Sequence, residues 1–170
     1  MIDVPETLMT DWYDPGDHTG WAWIEVSAEV YHDGRPLVDC IVDWDAGQWQ
    51  DEEPVMAWRM MNMSLEYKQS AHGCEGFKLR KFSKDETLLS PVRVRAMYIY
   101  AMYHAFERPR VFQQQASLAM TTLTDKRQKR AGLWIPGEEH ARDAIKHCWT
   151  FLERARKNKR MAQAAWEVNK

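Results

Sequence analysis

The sequence predicts a mixed α/β fold, with an antiparallel three-stranded meander, further parallel strands and helices packed on the sheet. Three observations predict it. The first fifty residues alternate aromatic and β-branched runs with short turn signals. From Glu53 the apolar period changes to that of a helix. Beyond that point helical and short strand-like segments alternate, which suits parallel strands joined by crossovers.

Residues 8–14 read as the first strand, followed by the loop Pro15-Gly16-Asp17-His18-Thr19-Gly20. Residues 21–31 read as a second strand ending at His32-Asp33-Gly34-Arg35, where Asp-Gly signals a tight hairpin, and residues 36–44 return as a third. Pro54 suits a first helical turn, and Val55, Trp58, Met61 and Leu65 recur at helical spacing behind it. Residues 72–77 form a short strand. Ser90-Pro91 starts a helix whose apolar face is Val92, Ala96, Ile99, Tyr103 and Phe106. Residues 110–114 make another short strand. Thr124 caps a basic helix over 125–131, closed by Gly132, and a last helix begins near 137–139 and reaches at least Arg156. No repeat, low-complexity tract or linker divides the chain. Residues 1–170 therefore form one domain, with a core over 8–155 and a basic C-terminal helix or tail over 156–170.

Composition narrows the function classes. Hydrophobic residues are 45% and charged residues 28% of the chain, a globular balance. No apolar run spans a membrane, and the first residues lack the basic and apolar regions of a signal peptide. Three widely spaced cysteines argue against a disulfide framework and for a reducing, cytoplasmic setting. The net charge of −2 hides an asymmetry: residues 1–53 hold 14 acids and one base, whereas the remainder holds 11 acids and 22 bases. A phosphate-bearing partner held by the later part of the chain fits this split. Uneven solvated helices fit it as well.

Three segments could carry chemistry. Asp14 ends a strand where Pro15-Gly16 turns the chain away, although Asp-Pro-Gly alone is ordinary turn chemistry. Asp11 is a rival carboxylate, but strand alternation puts it on the opposite face. Glu75 lies in a short strand, where a buried charge needs a partner or a metal. An exposed edge position is the plainer reading. His140, Asp143 and His147 share one helix face by spacings of three and four, and an acid-rich first turn would serve the helix dipole equally well. His147 reads as an ordinary surface or core histidine and stays outside the predicted site. Convergent carboxylates suit a pair of magnesium or manganese ions for phosphodiester hydrolysis. No zinc spacing, P-loop or Gly-x-Ser-x-Gly element is present.

Taken in order, these segments resemble the RuvC family of Holliday-junction resolvases, of the phage type. Asp14-Pro15-Gly16 with Thr19-Gly20-Trp21-Ala22 is similar to the family's first motif, and Cys74-Glu75-Gly76-Phe77 to its second. His140-Ala141-Arg142-Asp143-Ala144 is similar to the third. The likeness spans residues 8–155. It departs at His140, where many members have a carboxylate, at Gly76, and at the bulky Trp12-Tyr13 pair. The resemblance implies a ribonuclease-H-like mixed sheet and a metal-dependent endonuclease for branched DNA, four-way junctions above all, with forks and flaps as further substrates. It implies a homodimer with two Mg2+ or Mn2+ ions per site, held by Asp14, Glu75 and Asp143, with His140 as ligand or proton-transfer group. Lys78, Arg80 and Lys81, and Lys126, Arg127, Lys129 and Arg130, would hold phosphates. Competing readings are a nuclease for other branched or RNA-containing substrates and a non-catalytic DNA-structure-binding protein on the same fold.

Overall fold

The structure is a computed structural model, and it describes residues 6–67, 70–77, 89–106 and 110–166. A five-stranded sheet in the order β3-β2-β1-β4-β5 forms its centre. Strands β1 (Thr7–Asp14), β2 (Thr19–Ser27) and β3 (Ile41–Trp49) make the antiparallel meander. Strands β4 (Ala71–Glu75) and β5 (Phe112–Gln114) add in parallel beside β1. The mixed sheet expected from the sequence is thus present.

The predicted hairpin after β2 is not. The chain instead makes two short helices, α1 (Ala28–His32) and α2 (Leu37–Cys40), before β3 begins. Gly34, at φ +79°, follows the end of α1, where its missing Cβ lets the backbone turn left-handed. Pro36 then fixes the entry to α2. Helix-ending and hairpin-forming Asp-Gly are the same dipeptide, so the local signal was ambiguous. The third strand consequently starts five residues later than predicted.

Two layers cover the sheet. On one face lie α3 (Glu53–Glu66) and α4 (Ser90–Ala105), burying Met56, Ala57, Met60, Val94, Tyr98 and Met102 against Tyr13 and Cys74. These are not the predicted faces, since Trp58, Ala96 and Tyr103 point to solvent. On the other face runs the long helix α7 (Glu139–Lys157), whose Ala141, Ala144, Ile145, Cys148, Phe151 and Leu152 pack on Trp12, Ala22 and Ile24. Before it come α5 (Ala116–Thr122), which the sequence reading omitted, and the basic helix α6 (Asp125–Arg130). In the fold Arg154, Lys157, Lys159 and Arg160 are exposed, and α8 (Lys159–Trp166) then turns back onto the core, with Trp166 Nε1 donating to the Met9 carbonyl at 2.8 Å. Arg156 lies over the Tyr31 ring.

Among the described residues no helix is long and apolar enough to cross a membrane. Cys40, Cys74 and Cys148 are free and buried.

Candidate functional site

β1 and β4 run parallel with Tyr13 opposite Cys74, so Asp14 and Glu75 finish adjacent strands at the same end of the sheet. Parallel strands bring their carboxyl ends together, and in α/β folds that end is where ligands bind. The first turn of α7 closes over it. Gly20, paired with Asp14 across β1 and β2, makes this possible, because a Cβ there would collide with the His140 carbonyl. Gly73 plays a similar part under the Trp12 ring.

His140 Nδ1 lies 2.8 Å from Asp14 Oδ2, and His147 Nε2 lies 3.4 Å from Glu75 Oε2. One helix thus presents an imidazole to each carboxylate. His147 is fully buried and stacked on Trp12, with ring centroids 5.5 Å apart and nearly parallel planes. Its backbone carbonyl accepts a hydrogen bond from Gln114 Nε2, and Gln114 sits opposite Glu75 in the β4–β5 ladder. His147 is thus a core histidine, one of the two readings the sequence offers, and its Nε2 faces Glu75. Its spacing from His140 and Asp143 was the available signal, but a single histidine in an apolar helix is usually core. His18, in the loop after Asp14, stacks its ring parallel to that of His140 at 6.0 Å.

Electrostatics sets Asp14 apart. Burial pushes its carboxyl up to about 6, the neighbouring Glu75 pushes the same way, and the His140 hydrogen bond offsets only part of this. Burial also opposes the charge on Glu75. There the hydrogen bonds from His147 and Asp14 win, and its carboxyl titrates below the usual range. His140 is held above the usual imidazole range, chiefly by its hydrogen bond to Asp14. Two carboxyls therefore share a confined space that stabilises one negative charge more readily than two.

Asp143 behaves differently. It lies on the same helix face, but Lys146 Nζ donates to its Oδ1 at 2.9 Å. Among the described residues no group of three His, Cys, Asp or Glu side chains is arranged to hold a metal ion. The structure thus joins Asp14, Glu75 and His140, adds His147, and gives Asp143 a lysine partner.

Helix α6 docks beside this turn of α7. Gln128 Nε2 donates to the Arg142 carbonyl at 3.2 Å, and Asp125 pairs with Lys146 at 2.9 Å. Lys126, Arg127, Lys129 and Arg130 are all exposed on α6. Lys129 and Arg142 both lie over the Trp134 ring, 4.1 and 4.5 Å from its centroid. Lys78, Arg80 and Lys81 lie outside the described residues.

Neither a protein-family model nor a curated protein sequence matches the chain. Solved structures do. The structure titled "T. thermophilus RuvC in complex with Holliday junction substrate" matches with a TM-score of 0.61 and 14% identity, over 89% of this chain and 96% of that one. A second Thermus thermophilus RuvC structure matches with a TM-score of 0.62 and 14% identity, over 88% and 96%. At this identity the likeness is one of fold, and the fold is the ribonuclease-H-like fold of RuvC.

Proposed function

We propose that this chain is a metal-dependent endonuclease that cleaves branched DNA, four-way junctions above all, with Asp14, Glu75, His140 and Asp143 as its site residues. One observation carries the reading: two carboxyls meet at the ends of adjacent parallel strands, and one of them is held against its own charge. A divalent cation relieves that conflict, since it rewards the doubly ionised pair that the site otherwise resists. Oxygen donors suit Mg2+ or Mn2+, and Asp14 and Glu75 would supply them. When bound, such ions activate water and stabilise the leaving oxygen of a phosphodiester.

The chain's own side chains do the rest. His140 fixes the Asp14 carboxylate through Nδ1 and, being 42% exposed, is open to exchange a proton with solvent or substrate. His147 fixes Glu75 from the buried side and is itself held flat by Trp12. The exposed bases of α6 neutralise phosphates of the DNA arms and read no sequence. The fold neighbour solved with a Holliday junction supports a four-way junction as substrate, and symmetric cleavage of one requires two sites, hence a homodimer. The ordered motifs support a phage-type member acting in the host cytoplasm.

The Asp143–Lys146 pair favours a second reading, a non-catalytic DNA-structure-binding protein on this fold. Labelled four-way junction, fork, flap, RNA-containing and plain duplex substrates, each with and without Mg2+ or Mn2+, separate the two. The nuclease reading expects metal-dependent nicking of the four-way junction ahead of duplex. Tight junction binding with no cleavage in either metal would leave the binding protein.

A further inference from the structure

Trp134 and Arg142 take no part in the chemistry proposed above, yet they stand beside it. Trp134 lies in the loop between α6 and α7, and Arg142 follows His140 by two residues in the first turn of α7. The Lys129 ammonium lies 4.1 Å from the centroid of the Trp134 ring, and the Arg142 guanidinium 4.5 Å from it. An indole attracts one cation readily. Two on the same ring repel each other, and here no acid balances them. Among the described residues neither Lys129 nor Arg142 has a carboxylate partner. Asp125 feels both charges, but its carboxylate is taken by Lys146 at 2.9 Å.

The ring is held in place from both sides. Leu133, next to it in sequence, is buried, and its backbone N–H donates to the Gln128 carbonyl at 3.1 Å. Arg142 Nη1 donates to the Ile135 carbonyl at 3.0 Å, and Gln128 Nε2 donates to the Arg142 carbonyl at 3.2 Å. The half-buried indole thus keeps two long cationic side chains in fixed positions. Ordering such side chains normally weakens binding, and here they are ordered before a ligand arrives. The other donors of the guanidinium have no partner among the described residues, and their fork suits phosphate oxygens.

We propose that Lys129 and Arg142, set on Trp134, form a phosphate-binding clamp that holds one strand of the DNA beside the first turn of α7. A nucleic-acid backbone fits better than a free anion. Helix α6 adds the exposed Lys126, Arg127 and Arg130 on the same short segment, and a single phosphate cannot meet them all. The ring is engaged by cations, so it acts as their support and not as a platform for stacked bases. The clamp rests on the DNA-nuclease reading above and gives that reading a contact from Arg142, inside the third motif.

The test measures binding of labelled four-way junction and plain duplex by the full chain over a salt series, in Ca2+ to suppress cleavage. Lys129→Gln and Arg142→Gln should each lower the slope of log affinity against log salt by about 0.9 in magnitude for duplex arms, and Arg142→Lys should restore it. Trp134→Leu keeps both charges but frees them, so it should weaken binding several-fold with little change in slope. Denaturant unfolding is followed in parallel, because Arg142 could serve only to hold the loop. In that case Arg142→Gln loses stability while its salt slope stays at the wild-type value, and the clamp is overturned. A slope unmoved in Lys129→Gln, a surface change, overturns it as well and leaves the nuclease reading standing. Inorganic phosphate is the second probe, followed by the Trp134 indole N–H resonance, and should bind only weakly. Tight phosphate binding with an unmoved DNA slope would make this a free-anion site and overturn the strand contact. A wild type that binds no DNA removes the nuclease reading and the clamp together.

Discussion

Two aspartates three residues apart on β1 face opposite sides of the sheet, and each contacts an imidazole at nearly the same distance. Asp11 lies 2.7 Å from His72 Nδ1, and Asp14 lies 2.8 Å from His140 Nδ1. Their electrostatics are opposite. Asp11 is fully buried, but the His72 charge and hydrogen bonds from His72, Ser70 and Ser64 outweigh the cost of burial and hold its carboxyl below the usual range. Tyr13 and Tyr98 complete that network through Ser64. Asp14 has one such donor and an acidic neighbour, and its carboxyl rises to about 6. A charge whose hydrogen bonds are satisfied builds structure, whereas one left in conflict leaves room for a ligand. The two pairs are also in step, because Asp11 and His72 face each other in the β1–β4 ladder three residues before Asp14 and Glu75. The closed cluster thereby fixes the register that places the open one.

The largest effect expected from this contrast is on the closed side. Asp11→Ala strips partners from His72, Ser64 and Ser70 at once and should cost about 3–5 kcal/mol in denaturant unfolding. A loss under about 1 kcal/mol would mean the cluster is not structural. Gly20→Ala comes next, at roughly 3 kcal/mol, because the added methyl meets the His140 backbone. It should disturb the His140 imidazole resonances and leave those of His72 unchanged; equal disturbance of both would deny the two sides their independence.

Asp14→Asn should act in the opposite direction. Because its folded pKa exceeds the unfolded value, native Asp14 binds a proton more readily than the unfolded chain does between pH of about 4 and about 6. Its contribution to stability is thus greatest at low pH and is lost as pH rises through that window. In chelator, Asp14→Asn should be about 2 kcal/mol more stable than wild type near pH 7 and indistinguishable from it near pH 4. Asp11, with its lowered pKa, works the other way: its contribution is present above about pH 4 and is lost below it. Equal stability of Asp14→Asn and wild type at both pH values would place Asp14 in the satisfied class with Asp11.

The sequence made the open cluster partly legible, and of the closed one only the face on which Asp11 lies. Asp14 and Glu75 stood out because turn glycines and a short strand framed them, and His140 because the third motif contains it. Ser64 and Ser90 are buried on α3 and α4, so polar residues sit where a core stripe is expected. Meanwhile Trp58, Tyr100 and Tyr103 are more than half exposed, and apolar residues on several sides of a helix leave its phase undetermined. Both helix faces were consequently misjudged. The contacts of His147 to Glu75 and Trp12 were hidden because those residues are 72 and 135 positions away in sequence.

The smallest effect concerns α6. Lys126→Ala and Arg130→Ala should each lower the slope of log affinity against log salt by about 0.9 for duplex arms, alike for all sequences, in calcium to suppress cleavage. An unchanged slope in the double variant would make this helix a solvated face.

The most direct test is single-turnover cleavage of a labelled four-way junction by wild type and Asp14→Asn, in Mg2+ and in chelator, with junction binding measured in parallel. Wild type should cut only with metal, and Asp14→Asn should bind the junction equally well but cut at least about a hundredfold more slowly. Cleavage in chelator, or wild-type rates from Asp14→Asn, would contradict a metal centre built on Asp14.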